Sequence, residues 1–154
     1  MEPALKPGDQ APGFEGTDQY GKSVSLAGLK GKKVILYFYP KDDTPGCTSE
    51  ACNLRDNYQE LRDMGFVVIG ISPDNETSHQ KFSSKYNLPF HLIPDPDKKI
   101  IRSYGAWGEK KMYGKSYEGV LRTTFVISEE GLIDLVISKV DVKNHTKQII
   151  ELIN

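Results

Sequence analysis

The sequence predicts an α/β fold in which a mixed central sheet, flanked by helices, follows an N-terminal β-hairpin. Three observations carry this expectation. Val34–Tyr39 and Phe66–Ile71 are unbroken apolar runs of strand length, the pattern of strands buried on both faces. Between them Ala51, Leu54, Tyr58 and Leu61 recur at steps of three and four, so a helix joins two parallel strands in a right-handed crossover. Further on, Thr123–Ile127 and Leu132–Ile137 meet across Glu129-Glu130-Gly131, which adds an antiparallel pair and makes the sheet mixed.

Taken in order, residues 1–13 are rich in proline and glycine and read as an irregular lead-in over the core. Phe14–Leu26 alternates about the turn-prone Asp18-Gln19-Tyr20-Gly21, the expected small hairpin. Pro40 ends the first buried strand, and Thr44-Pro45 reads as a helix N-cap followed by proline at the first helical position. That helix should run from Pro45 to about Met64, with Gly65 as its C-cap. Ser72-Pro73-Asp74 is expected to cap a second helix bearing His79, Phe82 and Tyr86 on one face. A short strand at His91–Ile93, a turn at Asp95-Pro96-Asp97 and a brief helix near Lys98–Tyr104 follow. Gly105–Gly119 has no clear period and is expected as a long surface excursion. The chain closes on a helix with Thr146, Ile149, Ile150 and Ile153 along one face. This order of elements is that of the thioredoxin-like folds.

At 154 residues, without an internal repeat or linker, residues 1–154 are expected to form one domain. A formal net charge of −1 gives no electrostatic reason to expect nucleic acid or an anionic membrane as partner. No apolar run is long enough to span a bilayer, and Met1-Glu2-Pro3-Ala4-Leu5-Lys6 lacks a signal-peptide layout, so a cytoplasmic location is expected. Two cysteines do not make a disulfide scaffold; in a reducing compartment they are catalytic, metal-binding or simply buried.

Those cysteines, Cys47 and Cys52, stand in Tyr37–Cys52, where strand, proline-bounded loop and helix start meet. Cys47 falls in the first helical turn, where free N–H groups and the helix dipole favour an anion, hence a thiolate. Extending the apolar stripe backwards from Ala51 turns Cys47 towards the protein body; Cys52, ~140° further round, faces elsewhere. Four uses remain open on these residues alone. The first is that both are small core residues. A zinc site wants four ligands, and the spacing is unusual for one, with His79, His91 and His145 distant in sequence. A thioredoxin-type exchanger needs Cys-x-x-Cys, two residues shorter. A peroxide-reducing thiol would be oxidised to a sulfenic acid, with which a second thiol condenses to a disulfide. Ionising a free thiol fully at neutral pH gains roughly thirtyfold, about 2 kcal/mol of barrier, so such a site must also orient the peroxide and stabilise the leaving oxygen. The Thr44 hydroxyl, the N–H groups of Gly46 and Cys47, and a water-excluding Pro40 are suitable parts.

Pro40-x-x-x-Thr44-x-x-Cys47 matches the peroxiredoxin active-site pattern at every fixed position. Tyr39–Thr48 with Glu50 and Cys52 resembles the peroxiredoxin Q, or bacterioferritin comigratory protein, subgroup. The likeness continues through Ile71-Ser72-Pro73-Asp74, Tyr86-Asn87-Leu88-Pro89-Phe90, Trp107-Gly108-Glu109-Lys110 and Arg122-Thr123-Thr124-Phe125, which is nearly the whole chain. The resemblance implies a thiol peroxidase for hydrogen peroxide and organic hydroperoxides, with Cys47 peroxidatic and Cys52 resolving. It implies that Thr44 positions the peroxide and that Arg122 favours the thiolate and polarises the peroxide; an ordinary solvated arginine is the alternative. Glu50 is then either the carboxylate that holds the guanidinium or a surface acid, and Trp107 reads as core or pocket wall. No metal, haem, flavin or other cofactor is implied. A thioredoxin-type protein is the implied reductant, and a monomer the implied state. The rival readings are a peroxide-sensing redox switch without sustained turnover and, third, a non-catalytic binding module.

The spacing adds one consequence. Residues five apart on a helix have Cα atoms ~8.6 Å apart, whereas a disulfide rarely tolerates more than ~7 Å. The helix start is therefore expected to unwind between Cys47 and Cys52 in every turnover.

Overall fold

A computed structural model describes residues 5–153, so the first four residues of the expected lead-in lie outside the described residues. The expected hairpin is β1 (Glu15–Thr17) and β2 (Ser23–Ser25), paired antiparallel. The central sheet contains β3 (Lys33–Phe38), β4 (Phe66–Ser72), β5 (His91–Pro94), β8 (Thr123–Ile127) and β9 (Ile133–Ile137), in the order β5-β4-β3-β8-β9. β3, β4 and β5 are mutually parallel, while β8 runs antiparallel to β3 and β9 to β8.

The two apolar strand runs behave as their composition demands. Alternate residues of β3 and the residue after it feed separate cores: Val34, Leu36 and Phe38 enter one, Ile35, Tyr37 and Tyr39 the other. The first core is closed by the β1–β2 hairpin and α4 (Lys99–Ser103), through Phe14, Val24, Ile101 and Tyr104. The second lies under α1 (Pro45–Asp56), α2 (Tyr58–Asp63), α3 (Glu76–Tyr86) and α5 (His145–Ile153), which contribute Cys47, Ala51, Leu54, Leu61, Phe82 and Ile149. Thr146 and Ile149 of the last helix's apolar face are buried, as expected, with Ile150 and Ile153 partly covered. No helix among the described residues is long and apolar enough to cross a membrane.

Three expectations need correction. The helix after Cys47 does not run unbroken to Met64: α1 stops at Asp56 and α2 begins at Tyr58. The break is Asn57, a weak helix former whose backbone leaves the helical region at φ −111° and ψ 15°, with its N–H at 3.2 Å and its side-chain amide at 2.8 Å both donating to the Asn53 carbonyl. The cap of α3 is Asn75, whose Oδ1 accepts the Ser78 N–H at 2.9 Å, and not Ser72-Pro73-Asp74. Residues 105–119 are largely exposed, as a surface excursion is, but their pairing was missed: β6 (Trp107–Met112) and β7 (Lys115–Val120) form a two-stranded ribbon. Tyr113 and Gly114 turn it with φ of 53° and 77°, the left-handed pair that two-residue hairpins require. Polar residues on both faces removed the alternation by which such strands are recognised.

Candidate active site

Cys47 is the third residue of α1. Pro45 occupies the first helical position and lacks an N–H, while Gly46 and Cys47 have N–H groups for which an α-helix supplies no partner. The thiol faces the sheet, as the stripe predicted, and only 1% of Cys47 is exposed. Arg122, in the connection just before β8, donates from Nη2 to Cys47 Sγ at 3.3 Å. Its other terminal nitrogen, Nη1, donates to Glu50 Oε1 at 2.7 Å. The β3–β8 pairing, which sets Phe38 opposite Thr123, makes this approach possible: the strand leading into the cysteine loop lies beside the strand that Arg122 precedes.

Gly46 is part of the same geometry. A Cβ at that position would stand 3.2 Å from Arg122 Nη2, so the missing side chain leaves room for the guanidinium beside the thiol. Glu50 is not a surface acid, since it has no exposure. Burial pushes its carboxyl up to about 7 against the opposing attraction of Arg122. The arginine is held the other way, its ionisation raised by Cys47 and Glu50 although burial opposes its charge.

Thr44 has the extended backbone of an N-cap but makes no side-chain cap bond, contrary to the simple capping expectation. Its Oγ1 donates to the Lys41 carbonyl at 2.8 Å, across the left-handed turn at Asp43, which leaves the hydroxyl oxygen able to accept. Pro40 follows β3, half-buried. Cys52 shares α1 with Cys47 and is half-buried, and burial pushes its thiol up. Both cysteines are free thiols. Trp107 packs against the first core; Lys98 and Arg102 lie over its ring, and Nε1 donates to Glu118 Oε2 at 3.3 Å.

Two buried polar groups went unrecognised in the sequence. Asp42, inside the loop between Pro40 and Thr44, accepts from Tyr39 Oη at 2.6 Å and from Ser78 Oγ at 2.8 Å. Its N–H donates to Asp74, and with His79 these acids form a cluster whose ligand-type atoms lie within 4.8 Å of one another. Tyr39, Ser72, Ser78 and the Asp42 N–H already occupy those atoms, so the cluster serves to tie the loop to β4 and α3. The second group is His145, which sequence distance set aside but which reaches Glu50 across the start of α5. Helix-stripe reasoning marks His79 as inward-facing but says nothing of its partners, and the apolar face read for the last helix did not include His145.

The AhpC/TSA family matches residues 7–136. Peroxiredoxin Bcp of Bacillus subtilis is 43% identical over 144 residues, covering 94% of this chain and 92% of its own length. Peroxiredoxin Q of Xanthomonas campestris superposes with a TM-score of 0.85 at 34% identity, covering 91% of this chain and 89% of that one. The bacterioferritin comigratory protein of the same organism, studied for its alkyl peroxide reduction activity, gives 0.84 at 33% identity, over 90% and 88% of the two chains. A chain that shares this family over most of its length, and that sets an arginine against a buried helix-start cysteine, belongs to the AhpC/TSA family as a thiol peroxidase of the peroxiredoxin Q/Bcp subgroup.

Proposed function

We propose that the chain, acting as one domain, reduces hydrogen peroxide and organic hydroperoxides through Cys47, with Cys52 as the resolving thiol. The contact of Arg122 Nη2 with Cys47 Sγ carries this reading, because it sets a fixed cation where a thiolate forms and where negative charge develops on peroxide oxygen. Cys47 thiolate attacks the distal oxygen of ROOH; the S–O bond forms as the O–O bond breaks. RO⁻ takes a proton and leaves as ROH, and the sulfur becomes a sulfenic acid. The N–H groups of Gly46 and Cys47 with the Thr44 hydroxyl orient the peroxide, and Pro40 limits water.

Cys52 then attacks the sulfenic sulfur, giving a Cys47–Cys52 disulfide and water. Both cysteines lie within Pro45–Asp56, so regular helix geometry holds their Cα atoms ~8.6 Å apart, beyond disulfide reach. The start of α1 therefore unwinds before the bond closes. A thioredoxin-type dithiol reduces the exposed disulfide and is itself oxidised. The reaction runs in the cytoplasm, on a monomer.

A coupled assay tests the cycle: peroxide-dependent consumption of reducing equivalents through thioredoxin, lost in Cys47→Ser. Single-turnover oxidation without recycling would turn the reading towards a redox switch. Absence of peroxide reactivity would remove the peroxidase reading.

A further inference from the structure

Behind Arg122 the buried polar groups continue away from the thiol. Glu50 Oε1 is taken by Arg122, yet Oε2, equally buried, has no hydrogen-bond partner. It faces His145 Nε2 at 3.5 Å, and neither side chain has any exposure.

The protonation of His145 follows from its other contacts. Gln148 Nε2 donates to the Lys139 carbonyl at 2.8 Å, and Gln148 Oε1 accepts the Asp141 N–H at 2.9 Å, which fixes that amide's orientation. The atom 2.9 Å from His145 Nδ1 is thus an oxygen that can only accept, so Nδ1 carries the proton. Burial pushes the imidazole down to about 4, leaving it neutral. Nε2 is then a bare acceptor, and Thr124 Oγ1 donates to it at 2.8 Å. That lone pair is filled by the Thr124 hydrogen, so His145 offers Glu50 Oε2 no donor: an ionised Glu50 would keep a buried anionic oxygen unpartnered, whereas protonation removes that charge.

We propose that His145 is a positioning residue of the peroxidase site, which favours the protonated form of Glu50 and so leaves the charge of Arg122 to Cys47. The titratable groups around Glu50 are Cys47 on its own helix, Arg122 before β8, Tyr37 on β3 and His145 on α5, with Asp141 beyond the histidine. Arg122 supplies the positive charge among them and is shared between Glu50 and Cys47. A carboxyl that titrates near neutrality is the group for which a small bias alters that sharing.

The inference rests on Cys47 as the reactive thiol, but its test reads thiol ionisation separately from peroxide reduction. In a Cys52→Ser background Cys47 is the sole thiol, and its ionisation is followed by thiolate absorbance and by alkylation rate against pH. His145→Gln places an amide N–H within reach of Glu50 Oε2 and favours the carboxylate. The Cys47 midpoint should rise by ~0.5 pH unit or more, slowing alkylation roughly threefold on the acid side. In Glu50→Gln, whose amide mimics the protonated acid, adding His145→Gln should shift nothing further. An unchanged midpoint, or an equal shift with and without the Glu50 carboxyl, overturns the proposal. Should His145→Gln fail to fold, nitrogen NMR of the unaltered protein decides: a proton on Nδ1 and none on Nε2 at neutral pH is expected, and a protonated Nε2 overturns it. A coupled shift without peroxide oxidation of Cys47 would sink the peroxidase reading while leaving the His145–Glu50 link standing.

Discussion

Asn53 of α1 and Thr146 of α5 are joined through side chain and backbone: Asn53 Oδ1 accepts the Thr146 N–H at 2.8 Å, and the Asn53 carbonyl accepts from Thr146 Oγ1 at 3.4 Å. Asn53 Nδ2 also donates to the Lys143 carbonyl at 3.0 Å. The pin stands immediately after Cys52. Before Thr44 the chain is pinned too, by Asp42 to Tyr39 and Ser78 and by Asp43 to Lys85 and Tyr86. The segment left to unwind is residues 44–52. Hydrogen exchange should show protection lost there on oxidation and retained from Asn53 onward. In Asn53→Ala the loss should spread to Leu54–Asp56, with stability lower by about 1–2 kcal/mol. Unchanged protection at Cys47–Glu50 in the disulfide form would contradict the two-state helix.

Gly46→Ala should injure activity more than folding. Its Cβ would crowd Arg122 Nη2 at 3.2 Å, a contact that is relieved by swinging the guanidinium off the thiol. We expect kcat/KM for peroxide to fall roughly tenfold or more, the scale of a misplaced charge-stabilising group. A variant with undiminished kcat/KM would show that the close approach is dispensable.

Arg122→Lys keeps the charge and loses the fork. A single ammonium cannot hold Glu50 and Cys47 with two aligned donors, so kcat/KM should drop by about 10²-fold. Steady-state kinetics of the folded variant checks it, and near-normal turnover would mean that charge alone suffices.

The Asp42 pin gives a pH signature. Burial pushes its carboxyl up to about 6, so between pH ~4 and ~6 the folded chain keeps a proton that the unfolded chain has released. That proton makes stability fall as pH rises through the window. His79, pushed down to about 4 by burial, acts in the opposite sense over much of the same range, which is why the variant must be compared with its parent. Asp42→Asn should change the slope of unfolding free energy against pH by about +1.4 kcal/mol per unit there. Parallel curves from urea titrations would place the Asp42 proton elsewhere.

Much of the scaffold was legible because periodicity reports burial directly. Val34–Tyr39 and Phe66–Ile71 are apolar throughout, and both became inner strands of the sheet. The stripe through Cys47 and Ala51 turned the thiol inward for the same reason. The β6–β7 ribbon was not legible, since strands solvated on both faces carry no alternation and Tyr113-Gly114 is a weaker turn signal than Asn-Gly. Within the site, the motif located Cys47 and Thr44, but the fate of Glu50 depended on strands 70 residues away. No local pattern states that an acid at the sixth position of α1 will be buried against Arg122 and His145.

The central claim is that peroxide oxygen is transferred to Cys47. Cys52→Ser protein treated with one equivalent of peroxide and a sulfenic-acid trap, then digested and mapped by mass spectrometry, tests it most directly. The account predicts one adduct, on the peptide containing Cys47, and none when Cys47→Ser is treated alike. An adduct on Cys52 in the Cys47→Ser protein at a comparable rate, or no adduct in either variant, would contradict it.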